Sequence, residues 1–231
     1  MEIEAKFGVP SEDTFRLLLA ADSLDGLSLG AEREKHVHDS YVDTADRLIL
    51  AAGYSCRRRE QPEGVLITLK GLHGGEGAIH RRLEHEVHLA EYVPPSEWPP
   101  ATVRDMVLGL IGDCPLVPLF DLEQTRHIRP VYVAGRLVAE LSLDRVRVAV
   151  GERVQSYDEL EVELTPEGGE DDLLAAVACL QGKWGLAPVA LSKFERGLAF
   201  AEVPCFPPRG PCARLGDKGA IGSRRPRRQA R

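Results

Sequence analysis

No hydrophobic run in this 231-residue sequence is long enough to cross a membrane. The longest uninterrupted apolar stretch covers only residues 173–180, whereas a spanning helix needs about 20 residues. The N-terminal residues include Glu and Lys where a secretory signal requires an apolar segment, so no signal peptide is predicted. The five cysteines are widely spaced and form no Cys-x-x-Cys motif. This argues against a disulfide scaffold and a zinc ribbon, and it predicts a cytoplasmic protein.

Basic residues are in deficit, with 29 Lys and Arg against 36 Asp and Glu, and the deficit is uneven. Residues 205–231 contain eight basic residues and one acid, which leaves 21 basic and 35 acidic residues in 1–204. An acidic body is a poor general binder of nucleic acid. An anionic ligand of this body would therefore need metal ions or a locally basic wall.

Composition also divides the chain in two. Residues 1–204 are predicted to form one folded domain. Residues 205–231 form a basic tail rich in Pro and Gly, which has too few apolar residues to offset the entropy of ordering. We expect this tail to be a disordered end or a linker, and a basic arm for nucleic acid or polyphosphate is the alternative.

Four helices are predicted among several short strands. One begins after Ser11, whose side chain can cap it, and a second covers 102–111. A third covers about 170–184, where apolar residues recur at helical spacing, and a short fourth follows Ser192. The segments between them alternate apolar and polar residues, which is typical of half-buried strands.

The polar positions of these strands repeat charges of one sign. Glu159, Glu161 and Glu163 alternate with apolar residues, as do Arg57 and Arg59, and alternate residues lie about 7 Å apart along a strand. Neighbouring carboxylates raise one another's pKa unless a cation lies between them. An all-oxygen ligand set suits Mg²⁺ or Mn²⁺, whereas paired guanidinium groups suit phosphate.

In any one strand taken alone, such a pattern is explained by a sheet face exposed to solvent. Taken together, the strands favour a metal-chelated polyphosphate, which satisfies the acidic and the basic residues at once. A charged concave face with an apolar outer face under helices predicts a barrel with a polar lumen. Two metal ions there would act differently, one orienting a triphosphate and the other lowering the pKa of an attacking water.

Motifs along the chain resemble, in order, those of the CYTH superfamily, which joins class IV adenylyl cyclases and thiamine triphosphatases. Its members are also called triphosphate tunnel metalloenzymes. The resemblance covers residues 2 to about 200 and begins with Glu-x-Glu-x-Lys at 2–6. The later matches are Tyr-x-Asp-Thr at 41–44, Arg-x-Arg at 57–59, Thr-Leu-Lys at 68–70, Arg-x-Glu-x-Glu at 82–86, Thr-Arg at 125–126, acidic strands at 141–144 and 159–163, and Ser-Lys-Phe at 192–194.

The resemblance implies a fold and a role for each matched residue. The fold is α+β and mainly antiparallel, an eight-stranded β-barrel tunnel with a polar lumen and peripheral helices. Glu2, Glu4 and Lys6 form the implied catalytic set, in which both acids ligate or position the metal ion that activates water. The residues implied to bind substrate are Lys6, Arg57, Arg59, Lys70, Arg82, Arg126 and Lys193. The residues implied to bind two Mg²⁺ or Mn²⁺ ions are Glu2, Glu4, Glu84, Glu86, Asp144, Glu161 and Glu163.

Two departures from the family pattern concern the acids. Three acids at 159, 161 and 163 leave open which two bind metal. Ser142 stands where some members have an acid, and Glu140 is expected to compensate. His36 and His38 are expected to lie on a strand surface, because the carboxylates already supply oxygen ligands.

The predicted reaction is Mg²⁺-dependent hydrolysis of a triphosphate, foremost inorganic tripolyphosphate to pyrophosphate and phosphate, as in bacterial inorganic triphosphatases. The absence of an evident adenine-reading motif favours this substrate. The alternatives are a thiamine or nucleoside triphosphatase, a class IV-type adenylyl cyclase, and a polyphosphate-binding module without catalysis. The expected partner is a small triphosphate, with neither a membrane nor a specific nucleic acid, and the chain could be a monomer or a homodimer.

Overall fold

The computed structural model describes residues 1–72 and 75–202, so the predicted tail lies outside the described residues. The described strands are β1 Glu2–Val9, β2 Ser23–Leu24, β3 Leu27–Leu29, β4 Arg33–Asp43, β5 Tyr54–Gln61, β6 Gly64–Gly71, β7 Gly75–Glu76, β8 Ile79–Arg82, β9 Glu84–Leu89, β10 Val117–Val133, β11 Arg136–Val150, β12 Arg153–Leu164 and β13 Ala187–Pro188. The described helices are α1 Glu12–Leu19, α2 Leu48–Ala51, α3 Thr102–Ile111, α4 Glu170–Gly182 and α5 Lys193–Ala201, with a 3₁₀ turn at Pro95–Glu97.

The strands form one strongly curled sheet in which β8, β1, β12, β11, β10, β4, β5, β6 and β9 follow one another. All of these pairings are antiparallel. At one end Arg82 of β8 pairs with Glu2, and at the other Glu84 of β9 pairs with Lys70. Only Leu83 separates β8 from β9. The pairings therefore return to their start through eight strands when β8 and β9 are counted as one. The predicted mainly antiparallel α+β fold is confirmed.

Helices cover the outer, apolar face of this sheet. Phe15 of α1 and Leu173 of α4 belong to a buried cluster with Leu143 of β11. Val107 of α3 packs in a second cluster with Ile67 of β6. The apolar side chains of the strands thus pack against helices outside the barrel, and the polar side chains face the lumen. No helix of the described chain has the length and apolar character needed to cross a membrane.

Two serines begin helices at the predicted positions. Ser11 Oγ accepts a hydrogen bond from the backbone N–H of Thr14 at 3.2 Å. Ser192 Oγ accepts one from Glu195 N–H at 3.1 Å, and the Glu195 carboxylate accepts one from Ser192 N–H at 2.7 Å. Such reciprocal caps satisfy N–H groups that have no partner within the helix. The second cap fixes the start of α5 and so places its first residue, Lys193, against the lumen.

Candidate active site in the tunnel

The lumen holds a cavity of about 260 Å³, and its lining is dominated by charged side chains. Its seven carboxylates are Glu2, Glu4, Asp39, Glu84, Glu86, Glu161 and Glu163. Its seven cationic groups are Lys6, Arg57, Arg59, Lys70, Arg82, Arg126 and Lys193. Every site residue predicted from the sequence is among them except Asp144, which is fully buried behind Arg126 and Lys193. The formal charges of this lining cancel.

The register of the strands explains why these charges share one lumen. Glu4 lies opposite Glu163, and Lys6 lies opposite Glu161, across the β1–β12 pair. Because successive side chains of a strand point to opposite faces, the intervening Ala5 faces outward, where it is buried in the apolar core.

Part of the lining is a network of ion pairs around Glu161. One of its carboxylate oxygens lies 2.9 Å from Lys6 Nζ, and the other lies 2.8 Å from Arg126 Nη2 and 3.0 Å from Lys193 Nζ. Burial alone would raise the pKa of Glu161, but Lys193, Lys6 and Arg126 hold it well below its usual value. The Asp144 carboxylate accepts hydrogen bonds from Arg126 Nε at 2.9 Å and from Lys193 Nζ at 2.6 Å. Burial would raise the pKa of Asp144, but these two cations lower it below its usual value.

Around Lys70, the lining contains more carboxylates than cationic groups. Lys70 Nζ contacts the Glu2 carboxylate and lies 3.9 Å from Glu84 Oε2 and 4.0 Å from Glu4 Oε1. Among the described residues, no cationic group lies within 4.0 Å of the Glu163 carboxylate. Reduced hydration and the neighbouring Glu2 and Glu4 carboxylates raise the pKa of Glu163 to about 7. A further cation would therefore be stabilised here.

The two arginines of β5 have different surroundings. Arg57 Nη2 donates to Thr68 Oγ1 at 3.0 Å and lies 3.7 Å from Glu84. Arg59 forms a two-pronged pair with Asp39, from Nε at 2.7 Å and from Nη2 at 2.9 Å. Arg59 is thus already engaged with a carboxylate, whereas Arg57 has longer contacts to carboxylates and more freedom to meet an anion.

Two polar lining residues, Gln124 and Thr68, had no predicted role, although Thr68 belongs to a matched motif. Gln124 Nε2 donates to Asp39 Oδ2 at 3.1 Å, and Thr68 Oγ1 donates to Glu86 Oε1 at 2.9 Å. Each follows the alternation of a predicted residue: Gln124 lies two positions before Arg126 on β10, and the same spacing relates Thr68 to Lys70 on β6. The period of two places both residues on the lumen face, but it does not give their partners.

The expectation that Glu140 compensates for Ser142 is not supported. Glu140 lies beside Glu163 in the strand register but is absent from the lumen lining, and its carboxylate contacts Arg33 at 3.5 Å. Ser142 itself is buried and donates to Asp144 Oδ1 at 2.6 Å, so it supports that carboxylate instead of supplying another.

None of the histidines that the structure describes belongs to the lumen lining. Within residues 1–72 and 75–202, the only three His, Cys, Asp or Glu residues with ligand atoms within 4.8 Å of one another are Glu32, Glu34 and His127. His127 Nδ1 lies 2.7 Å from Glu32 Oε1, and its ring packs against Phe15 of α1 on the outer face. These are ordinary surface hydrogen bonds, and this cluster contributes nothing to the lumen.

The lumen carboxylates suit a hard divalent cation. Glu2 Oε2 and Glu4 Oε1 are buried without a well-aligned hydrogen bond, and their charge is met only by ammonium and guanidinium groups nearby. Carboxylate oxygens are the ligands that Mg²⁺ and Mn²⁺ prefer. The donor types present therefore fit the metal ions expected from the sequence, and the carboxylates would have to draw together around an ion, because no three in the described lumen have oxygens within 4.8 Å of one another.

The fold and its lining define a β-tunnel protein with a charged lumen. The family model for the CYTH domain matches residues 1–197, and the chain belongs to this family. Among curated proteins, none matches the sequence significantly.

The solved structures that share this fold include one from Hippeastrum and one from Bacillus halodurans. HpAC1 from Hippeastrum, named as an adenylyl cyclase with a dominant triphosphatase activity, is 18% identical with a TM-score of 0.66; the match covers 88% of this chain and 98% of that one. A Bacillus halodurans protein named as an adenylate cyclase is 19% identical with a TM-score of 0.56; the match covers 85% of this chain and 96% of that one. At these identities the similarity establishes the fold alone.

Proposed function

We propose that the protein is a metal-dependent triphosphatase whose foremost substrate is inorganic tripolyphosphate. The observation that carries this proposal is a small lumen lined by equal numbers of carboxylates and cationic groups. A triphosphate bound alone would leave its own negative charges uncompensated against this neutral lining. A triphosphate that brings divalent metal ions would be matched, because the carboxylates bind the metal and the cations bind the remaining phosphate oxygens.

The roles follow from this division of charge. The side chains proposed to hold phosphate oxygens are Lys6, Arg57, Arg59, Lys70, Arg82, Arg126 and Lys193. The side chains proposed to hold two Mg²⁺ or Mn²⁺ ions are Glu2, Glu4, Glu84, Glu86, Asp144, Glu161 and Glu163. When bound, such ions neutralise phosphate charge and lower the pKa of a water. Arg57 is expected to turn toward phosphate readily, since its contacts with the Glu84 and Glu86 carboxylates are as long as 3.7 and 3.9 Å.

The size and chemistry of the lumen favour a substrate without a large organic half. Its volume of about 260 Å³ is below the roughly 300–1,000 Å³ typical of small-molecule pockets. Its aromatic side chains, Tyr41 and Phe194, pack against each other and against Phe120 in the core. A stacking platform for a base is therefore not evident in the described lining.

The test is product analysis with the full chain. Tripolyphosphate, thiamine triphosphate and ATP would be incubated with Mg²⁺, with Mn²⁺ and with EDTA, and phosphate, pyrophosphate and cyclic AMP would be measured. We expect tripolyphosphate to be cleaved fastest into pyrophosphate and phosphate, and EDTA to abolish the reaction. Cyclic AMP from ATP would establish the cyclase instead. Binding of tripolyphosphate without cleavage of any substrate would establish a non-catalytic module.

A further inference from the structure

The ammonium group of Lys193 occupies a position between three carboxylates. Its Nζ lies 2.6 Å from Asp144 Oδ2, 3.0 Å from Glu161 Oε2 and 3.5 Å from Glu159 Oε1. The Asp144 and Glu159 side chains have no exposed surface, and those of Lys193 and Glu161 are 10% exposed. A cation surrounded by buried carboxylate oxygens is the arrangement that a hard metal ion also seeks.

Strand pairing builds this position independently of the lysine. Asp144 lies directly opposite Glu159 across the β11–β12 pair, and Glu161 follows Glu159 on the same strand face. Lys193 comes from a different element, the first turn of α5, and reaches the carboxylates with a flexible side chain. The three acids are therefore fixed by the barrel, whereas Lys193, which contacts all three, can move.

We propose that Lys193 is a built-in competitor of the divalent metal ion. In the metal-free protein its ammonium group fills the cation position formed by Asp144, Glu159 and Glu161. Metal binding by Asp144 and Glu161 requires this ammonium group to leave, and the phosphate oxygens of the substrate offer it a new partner. This inference rests on the proposed function, because it takes the same carboxylates as metal ligands.

A consequence is that loss of the lysine has opposite effects on the two ligands. Without the ammonium group, a metal ion meets one competing cation fewer at these three carboxylates, while Arg126 and Lys6 keep their contacts there, so its affinity rises. The triphosphate loses one of its cationic partners, so its affinity falls. If Lys193 only stabilised the fold, its removal would lower both affinities together.

The test measures Mn²⁺ binding alone, by electron paramagnetic resonance of the free ion. In Lys193→Met the stem of the side chain is kept and the charge is removed, and we expect Mn²⁺ to bind at least tenfold more tightly than to the unaltered protein. Lys193→Arg retains the charge and should stay within about twofold of the unaltered protein. Lys193→Gln repeats the test if the methionine variant does not fold, as judged by circular dichroism.

A matched control removes a lysine near the same lumen. Lys35 lies near Arg59 and Arg126, and no carboxylate is within 4.0 Å of its Nζ among the described residues. Lys35→Met should change Mn²⁺ affinity by less than about threefold. An equal gain in Lys35→Met and Lys193→Met would show a general charge effect and overturn the proposal.

Binding of a non-hydrolysable imido analogue of tripolyphosphate, measured by calorimetry with saturating Mg²⁺, completes the test. We expect the Lys193→Met variant to bind it at least tenfold more weakly. Unchanged or weaker Mn²⁺ binding in this variant would contradict the competitor role, whatever the hydrolysis assays show. Conversely, tighter Mn²⁺ binding in a protein that cleaves no triphosphate would refute the proposed function but retain the competition.

Discussion

Replacing Asp39 with Asn should destabilise the protein by about 3 kcal/mol. The Asp39 side chain is 1% exposed, accepts two hydrogen bonds from Arg59 at 2.7 and 2.9 Å, and accepts a third from Gln124 at 3.1 Å. Removing one partner of a buried ion pair costs about 3–5 kcal/mol, because the other charge is left uncompensated. Asn keeps one acceptor oxygen, so we expect the lower end of this range.

For a domain of this size, a loss of 1 kcal/mol lowers Tm by about 2–4 °C, so the expected change is about 6–12 °C. The assay is urea unfolding followed by circular dichroism, with thermal unfolding beside it. The matched control is Glu60→Gln, which removes an exposed carboxylate 3.2 Å from Arg58. Exposed pairs contribute about 0–1 kcal/mol, so this control should change stability little.

The effect of Asp39 should also depend on pH. Burial would raise the pKa of Asp39, but Arg57 and Arg59 outweigh it and lower the pKa below the usual 3.8. The stabilisation by this carboxylate is therefore complete above pH 3.8 and is lost as the pH falls through the lower folded-state value. The difference between the unaltered protein and Asp39→Asn should be constant from pH 5 to 7 and should shrink below about pH 4. A difference below 1 kcal/mol at pH 7, or one that grows on acidification, would refute this reasoning.

Four further substitutions test the core, a cap and the lumen. Ile67→Ala should destabilise the protein by about 2–5 kcal/mol in urea unfolding, since it leaves a cavity beneath α3; a loss below 1 kcal/mol would contradict this packing. Ser11→Ala should cost about 1 kcal/mol by removal of the α1 cap, and no loss would show that the cap is dispensable. Glu4→Gln should lower kcat on tripolyphosphate at least tenfold with little change in KM. A normal kcat in Glu4→Gln would exclude the role proposed for the N-terminal acids. Arg57→Ala should mainly raise KM for tripolyphosphate.

The faces of the strands could be predicted from sequence because a strand has a period of two. Glu2, Glu4 and Lys6 line the lumen as the alternation indicates, and so do Arg57 and Arg59. Helix starts were predictable for an equally local reason, since a serine cap acts within three residues. These properties depend on neighbours in the chain and need no knowledge of the tertiary structure.

The partners of the charged groups could not be predicted. Asp39 and Arg59 are 20 residues apart, and Asp144 and Lys193 are 49 residues apart. Their contacts depend on strand register and on the rotamers of long side chains, which the alternation does not determine.

The matched motif at 41–44 has a structural role. Asp43 is buried and accepts hydrogen bonds from the N–H groups of Thr44, Ile49 and Leu50 at 2.7, 2.9 and 2.9 Å. It thereby orders the turn into α2, a helix of four residues that was not predicted. So short a helix has no recurring apolar pattern, and its stabilisation comes from this side chain.

The central claim is that the lumen binds a triphosphate together with divalent metal ions. Calorimetric titration of the unaltered protein with the imido analogue of tripolyphosphate, once with Mg²⁺ and once with EDTA, tests this most directly. We predict binding at least tenfold tighter with Mg²⁺ than with EDTA. Equal affinity under the two conditions would contradict the claim, because the cationic side chains alone would then suffice to hold the anion.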